Sequence, residues 1–311
     1  MPVRPRRAVV TVGVFDGVHR AHQQLIRAAV AQARALRGDS VAITFDPDPQ
    51  HVLAPSSAEP ALMPLEERLE QLKALSLDLI WVIPFTKRFA STTAEDFVHR
   101  VLIGRLQAAA LVVGEAFLFG RDREGDMAML RALGPAHGMR IVPVQQVMWR
   151  GQPISSSRIR RLIREGRLAQ AKQLLGRPPA LYGVVVRGVG RGRRLGFPTA
   201  NIRLIPQALP PQGVYAVTVR ARGSHREWPG VMNLGVRPTF GPGPLVCEAH
   251  MLGFAGTLIG RAMTVSLLAR LRNERRFPSP QALARQIRRD RSRATRLLRS
   301  IPSAARKVSN R

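Results

Sequence analysis

The feature that most constrains the fold is a turn with two glycines and two histidines at residues 13–22, close to the start of the chain. The five residues before it form an apolar, β-branched run, which predicts a buried strand. Apolar residues at helical spacing follow it from Leu25 to Leu36, and Gly38 predicts the end of that helix. A strand, a turn and a helix in this order predict an open α/β sheet, which binds ligands beyond the strand ends.

The turn offers groups that suit an anion. The N-terminus of a helix presents unpaired backbone N–H groups, which attract phosphate. His19 and His22 are three residues apart, so both imidazoles lie on one face if the helix has begun at His19. A metal site is an alternative, but no cysteine or third ligand accompanies the pair. Phosphate is therefore favoured over a metal, but two surface histidines without a role also fit the spacing.

Strand and helix patterns then alternate through the first half of the chain. Strand patterns occupy residues 40–45, 79–84, 111–113 and 141–144, and helical patterns occupy residues 65–75, 94–105 and 127–137. This alternation with short connections predicts an α/β domain with a doubly wound parallel sheet. Prolines end the second strand and leave Asp46 at its carboxyl end.

A run of three serines precedes another helical pattern. Serine is a favourable N-cap, so capping explains one of the three hydroxyls. Three hydroxyls followed by an arginine exceed what a cap requires, and they suit a phosphate. We interpret this run as a phosphate-binding segment. Its members are Ser155, Ser156, Ser157 and Arg158.

The composition changes after a double proline at residues 178–179, which predicts a linker. Strand patterns at residues 182–186, 214–219, 231–234, 246–252 and 263–268 then follow one another without intervening helices. They predict an antiparallel β-barrel, closed by a helix from Pro280. We therefore predict an α/β domain over residues 1–176, a barrel domain over 177–302 and a basic tail over 303–311.

Together these motifs resemble the bifunctional riboflavin kinase/FAD synthetase family, over about residues 8–295. The turn at residues 13–22 resembles the nucleotide-binding turn of its Rossmann-like nucleotidyltransferase module. Ile-Ser-Ser-Ser-Arg-Ile-Arg at residues 154–160 resembles a second motif of that module. Gly-Phe-Pro-Thr-Ala-Asn at residues 196–201 reproduces the riboflavin kinase signature. A glycine- and arginine-rich loop precedes that signature, and by itself it is equally well explained as a flexible basic turn.

The resemblance implies a set of site residues in each half. The adenylyltransferase nucleotide site would comprise Gly13, Phe15, Asp16, Gly17, His19, His22, Ser155, Ser156, Ser157 and Arg158. The kinase nucleotide site would comprise Gly188, Gly190, Arg191, Gly192, Gly196, Pro198, Thr199 and Asn201. Thr199 and Asn201 carry oxygens suited to Mg²⁺, the implied cofactor alongside ATP. Glu248 would be the catalytic base, and the flavin-binding residues would be Asp46, Arg272 and Glu274.

The implied function is the synthesis of flavin cofactors. The C-terminal domain would phosphorylate riboflavin to FMN with ATP, and the N-terminal domain would adenylylate FMN to FAD. The chain departs from the family at Ala116, which replaces a polar residue of the adenylyltransferase site, and at Ala21, which replaces a glycine. Gly253 and Ile259 depart from it in the kinase half. We therefore expect FAD synthesis to be weaker than FMN synthesis.

Two other functions are open on the sequence. One is a kinase whose N-terminal half binds nucleotide without turnover. The other is a flavin-responsive regulatory protein that uses its basic surface on nucleic acid. The second is disfavoured because a sensor has no need of the carboxylate base that Glu248 supplies.

The composition narrows the range of expected binding partners. The net charge of +29, from 49 basic and 20 acidic residues, favours anionic ligands such as ATP. Aromatic residues are only 5% of the chain and do not interleave with the basic ones, so nucleic acid is not an expected partner.

No apolar run approaches the roughly 20 residues that span a membrane. Cys247 is the single cysteine, which excludes an internal disulfide and favours the cytoplasm. The sequence does not determine the oligomeric state.

Overall fold

The computed structural model describes residues 5–188, 196–236 and 245–299. The chain divides into two compact units, with the division between Arg158 and Ile159. The predicted domain boundary after residue 176 lies beyond this division and stays a prediction. The predicted tail over residues 303–311 lies outside the described residues.

A five-stranded parallel sheet forms the first unit, in the order β3-β2-β1-β4-β5. The chain therefore runs outward from the central strand first to one side and then to the other. The switch between the two directions lies at β1, which is where doubly wound sheets bind ligands. The strands are β1 Val9–Val12, β2 Ser40–Asp46, β3 Leu79–Pro84, β4 Ala110–Gly114 and β5 Arg140–Val144.

Helices cover both faces of this sheet, so the central strand is buried on both sides. Val10 and Val12 pack into the larger core cluster, whereas Val9 packs with Ala29 and Ala33 of the first helix. This confirms the predicted doubly wound architecture. The helices are α1 Arg20–Ala35, α2 Pro49–Leu53, α3 Leu65–Lys73, α4 Lys87–Ala90, α5 Ala94–Asp96 and α6 Met127–Ala136.

The helix predicted over residues 94–105 differs in its hydrogen bonding. Thr93 caps its first turn, α5, by accepting from the backbone N–H of Asp96. The remainder, Phe97–Arg105, is a π-helix. A short hairpin with two residues in each strand was not predicted from the sequence; it pairs β6 Met148–Trp149 with β7 Gln152–Pro153.

A closed six-stranded barrel dominates the second unit, in the order β10-β11-β12-β9-β8-β13 with all pairs antiparallel. This confirms the predicted barrel, but one strand, β9, was missed. The strands are β8 Ala180–Val186, β9 Ala200–Leu204, β10 Gly213–Ala221, β11 Glu227–Val236, β12 Leu245–Met251 and β13 Ala262–Arg272. Helices α7 Ser156–Arg164 and α8 Leu168–Leu175 precede the barrel, and α9 Pro280–Arg299 follows it.

Alternate residues along the barrel strands point inward and fill the barrel interior. Tyr215, Val217 and Val219 of β10 are buried in the barrel cluster, and Cys247 and Ala249 of β12 belong to the same cluster. The residues between them therefore point away from this interior. That alternation places Glu248 on the outer face of β12.

Candidate active sites

The turn after β1 has an unusual backbone. Phe15, Gly17 and Val18 have φ angles of 55°, 81° and 37°. Such values are costly for a bulky or β-branched residue, so the surrounding structure must hold them in place. Gly13 helps, because a Cβ there would lie 3.0 Å from the Phe15 ring, which folds back over it. A side chain at residue 13 would therefore require the Phe15 ring to shift by a few tenths of an ångström.

His19 and His22 lie together at the start of α1. His19 is the N-cap residue, and its Nδ1 accepts from the backbone N–H of His22 at 3.4 Å. The two rings stack with their centroids 3.5 Å apart, and the Phe15 ring meets His22 edge-on at 5.3 Å. Burial lowers the pKa of His22 well below 6.5, and the charges of His19 and Arg68 lower it further. His22 is therefore neutral at pH 7.

Asp16 fastens the turn to two distant segments. Its carboxylate is buried and accepts from the backbone N–H of Leu62 at 2.9 and 3.1 Å. Its backbone carbonyl accepts from the hydroxyl of Ser156 at 2.9 Å. Asp16 and Ser156 were predicted to bind nucleotide, but the contacts described here join them to other parts of the protein. Their nucleotide-binding role stays a prediction.

The serine motif continues from this contact into α7. Ser155 Oγ accepts from the backbone N–H of Arg158 at 3.3 Å, which is a capping interaction. The Arg158 guanidinium donates to the carbonyls of Trp149, Gln152 and Pro153 at 2.9–3.2 Å. Arg158 thus holds the β6–β7 hairpin, and its predicted role as a phosphate ligand stays a prediction, as does that of the exposed Ser157.

Sequence reasoning missed a buried arginine in α3. Arg68 is only 5% exposed, and its guanidinium donates to the carbonyl of Val14 at 2.7 Å and to that of Phe45 at 3.0 Å. Its Nη2 lies 3.9 Å from the carboxylate of Asp46, the predicted flavin ligand, whose side chain is half-exposed. The sequence feature that could have identified Arg68 is a charged residue within the apolar stripe of an amphipathic helix.

The second candidate site is a row of polar residues across three adjacent barrel strands. Asn201 of β9 lies opposite Glu248 of β12, and Glu248 lies opposite Asn233 of β11. Residues directly opposite in a sheet point to the same face, with Cβ atoms about 5 Å apart. The predicted base and the predicted metal ligand Asn201 are therefore neighbours. The sequence analysis predicts no role for Asn233.

Glycines flank this row and give its side chains room. A Cβ on Gly188 would lie 2.0 Å from the Asn201 Nδ2, and one on Gly235 would lie 2.2 Å from the Glu274 carboxylate. Asn233 Nδ2 donates to that carboxylate at 3.2 Å, which joins Glu274 to the row. The structure thus brings together the predicted base, metal ligand and flavin ligand.

The signature segment leads directly into β9. Thr199 is half-buried and immediately precedes the strand, and the carbonyl of Pro198 lies 2.8 Å from Nδ1 of His250. Gly196 has φ 81°, a conformation that favours glycine. Three predicted members of this site lie outside the described residues. They are Gly190, Arg191 and Gly192.

Arg272 is the other predicted flavin residue. Its Nε and Nη2 lie 3.0 Å from the carboxylate of Asp290 in α9, so an ion pair joins the end of β13 to the terminal helix. Beyond it, a cavity of about 310 Å³ lies between residues 275–278 and α9, with Arg275, Phe277 and Gln286 in its lining. The predicted contact of Arg272 with flavin stays a prediction.

Two further observations concern other kinds of site in the described part of the chain. Burial raises the pKa of Cys247 to about 12, so this thiol is not a nucleophile at neutral pH. No group of three or more histidine, cysteine or acidic side chains is placed to hold a metal there. None of the helices in the same ranges is long and apolar enough to cross a membrane.

Comparisons with known proteins agree with this two-part arrangement. The family model for FAD synthetase matches residues 2–158, and that for riboflavin kinase matches residues 175–298. The bifunctional riboflavin kinase/FMN adenylyltransferase of Escherichia coli (strain K12) is 39% identical over 282 residues, covering 91% of this chain and 90% of the relative. The protein of that name from Pseudomonas fluorescens is 38% identical and covers 97% and 96%.

A solved structure extends the similarity to the fold. The crystal structure named macrolide-efflux protein from Streptococcus pneumoniae superposes with a TM-score of 0.81 at 30% identity, covering 95% of both chains. The matches in both halves and the coverage of nearly the whole length assign the chain to a family. It belongs to the bifunctional riboflavin kinase/FMN adenylyltransferase family.

Proposed function

We propose that the barrel unit transfers the γ-phosphoryl group of ATP to riboflavin, and that the sheet unit transfers AMP from ATP to the FMN formed. The observation that carries the first activity is the row of Asn201, Glu248 and Asn233. The stacked histidines at the start of α1 carry the second. The family names of the relatives support both.

Glu248 is the general base of the kinase reaction in this proposal. The primary hydroxyl of riboflavin attacks the γ-phosphorus, its proton passes to the Glu248 carboxylate, and the bond from phosphorus to the ADP oxygen breaks. Asn233 and Glu274, joined at 3.2 Å, offer hydrogen bonds to the flavin hydroxyls beside it. The base therefore lies between groups for nucleotide and for flavin.

The residues around Asn201 fit Mg²⁺ bound with ATP phosphates. Mg²⁺ prefers oxygen ligands and uses few from the protein, retaining water and phosphate oxygens. The Thr199 hydroxyl and the Asn201 amide oxygen are such ligands, and Gly188 leaves room for the Asn201 side chain. When bound, the ion would offset negative charge on the transferred phosphoryl group.

Adenylyl transfer needs no base, because the attacking phosphate of FMN is already ionised. Its oxygen attacks the α-phosphorus of ATP, and the bond to the pyrophosphate oxygen breaks. The N-terminus of α1 presents backbone N–H groups to these phosphates, and His19 and His22 lie beside them. The histidines stabilise negative charge on the transferring group by donating hydrogen bonds.

Two incubations test the two activities. The full chain is mixed with ATP and Mg²⁺ and with riboflavin in one incubation and FMN in the other, and the products are separated by chromatography. We expect FMN and then FAD from riboflavin, and FAD directly from FMN. A chain that makes FMN but converts none of it to FAD is a kinase with a non-catalytic first unit. A chain that makes neither overturns the proposal.

A further inference from the structure

The side chain of Arg68 touches both strand ends beside the nucleotide turn. Its Nη1 donates to the carbonyl of Val14, two residues after β1, and its Nη2 donates to that of Phe45, near the end of β2. These strands are parallel neighbours, so their carboxyl ends lie at the same edge of the sheet. The guanidinium joins the two ends.

Burying this cation is costly. Arg68 is 5% exposed, and its Nε has no hydrogen-bond partner among the described residues. The carboxylate of Asp46 lies 3.9 Å from its Nη2, which is too far for a strong hydrogen bond. A leucine would continue the apolar face of α3 without this desolvation cost. The reason for an arginine here lies instead in the carbonyls of Val14 and Phe45, which a leucine would leave without these donors.

The two carbonyls give a reason. The Val14 carbonyl belongs to the turn in which Phe15 and Val18 have positive φ angles. It also accepts from the Thr44 hydroxyl at 2.9 Å. Two donors on one carbonyl fix the orientation of that peptide, which leads directly into the strained backbone. A guanidinium reaches two carbonyls with a rigid fork, which an ammonium does not.

The charge of Arg68 also reaches the histidine pair. Its positive charge contributes to the lowered pKa of His22, after burial and His19. In return, the carboxylates of Asp16, Asp46 and Asp48 favour the charged form of Arg68, whose pKa burial lowers. The turn therefore has a buried positive charge beneath it while His22 stays neutral.

We propose that Arg68 is a positioning residue for adenylyl transfer, which holds the turn after β1 in its strained shape and supplies a fixed positive charge beneath the phosphate site. This inference rests on the proposed adenylyltransferase function. It assigns to Arg68 no contact with substrate. The role acts through the backbone of Val14 and through the field at His22.

Two substitutions separate the geometry from the charge. Arg68→Lys keeps the charge but not the fork, and Arg68→Met removes both. We expect each to lower kcat for FMN adenylylation by about tenfold or more, since a displacement near 1 Å costs up to about 10²-fold. Riboflavin phosphorylation by the same preparations should stay within about twofold of the parent. Lys73→Met removes an exposed cation from the same helix and should leave both activities at the parental level.

The titration of His22 distinguishes this role from a merely structural one. Because the Arg68 charge lowers the pKa of His22, its removal raises that pKa. The titration of the His22 ring, followed by NMR, should therefore move to higher pH in Arg68→Met and stay in place in Arg68→Lys. The kcat of each variant is measured per folded molecule, well below the thermal midpoint. Parental kcat in Arg68→Lys, or identical His22 titrations in both variants and the parent, would overturn the inference.

A second variant covers the case in which Arg68 substitutions do not fold. Thr44→Val removes the other donor to the Val14 carbonyl without changing charge or shape. It should lower kcat for adenylylation several-fold and leave phosphorylation unchanged, and parental adenylylation in Thr44→Val would then refute the positioning role. A parent chain that makes no FAD overturns the proposed adenylylation and this inference together. A parent that makes FAD, with unaffected variants, overturns this inference alone.

Discussion

The two units place their polar groups by different means. In the barrel, the register of three paired strands sets Asn201, Glu248 and Asn233 side by side. In the sheet unit, a single strained turn carries the histidines, and contacts from distant segments through Arg68 and Asp16 hold it. The barrel site depends on space for its side chains beside the paired strands. The site on the turn depends on contacts with residues that are distant in the sequence. Substitutions should reveal this difference.

The largest effect is expected at the barrel base. Glu248→Gln keeps the shape of the side chain but cannot accept the proton, so riboflavin phosphorylation should fall about 10²-fold or more. FMN adenylylation should stay within about twofold of the parent. Initial rates of FMN and FAD formation measure both. Glu227→Gln, an exposed carboxylate at the start of β11, is the matched control. A Glu248 variant that phosphorylates at the parental rate shows that the base is elsewhere.

Clearance beside the row is tested at Gly188. In Gly188→Ala the new methyl group would lie 2.0 Å from the Asn201 Nδ2, so the Asn201 side chain must move. We expect kcat for phosphorylation to fall between about 10- and 100-fold, as for small misplacements of a site. The effect should largely vanish in an Asn201→Ala background, because the displaced group is already absent. Equal losses in both backgrounds would show that Gly188 acts by another route.

A smaller effect is expected at Ala116, which is exposed just after β4. Ala116→Asn restores a polar group at this position and should raise the FMN adenylylation rate. One added hydrogen bond of roughly 1 kcal/mol corresponds to about fivefold. Ala116→Val should bring no gain. If the parent already makes FAD as fast as FMN, the predicted deficit is refuted and another residue compensates.

The smallest effect concerns stability against pH in the first unit. The pKa of His22 is lower in the folded chain than its ordinary value of 6.5, so the unfolded chain binds more protons below pH 6.5. Its contribution is complete above pH 6.5 and is lost as the pH falls below it, by at most about 1.4 kcal/mol per pH unit. Urea denaturation from pH 7.5 to 5.5 should show a shallower dependence in His22→Asn. His51→Asn, at an exposed histidine, should retain the parental slope.

Local patterns predicted most elements, because hydrophobic periodicity follows from which residues face the cores. The strand β3 was predicted to the residue, and five of the six barrel strands were predicted. The strand β9 was missed because its residues follow a glycine and a proline that favour a loop. Its omission mattered, since only in a strand does Asn201 lie opposite Glu248.

The anchors of the sheet-unit turn could not be predicted, because they depend on tertiary contacts. Arg68 lies 54 residues from Val14, and Ser156 lies 140 residues from Asp16. No local pattern links such pairs in a single sequence. The resemblance to the family named the histidines and serines, whereas the structure shows what holds them. Residues that act through others are therefore found from contacts, not from motifs.

The central claim is that two independent sites, one in each unit, carry the two reactions in sequence. Complementation tests it most directly. Glu248→Gln and His22→Ala are each incubated with riboflavin, ATP and Mg²⁺, alone and mixed, and FAD is measured by chromatography. Neither variant alone should form FAD at an appreciable rate, and the mixture should form it after a lag in which FMN accumulates. A mixture that forms no FAD, although each variant retains its own partial reaction, would contradict independent sites.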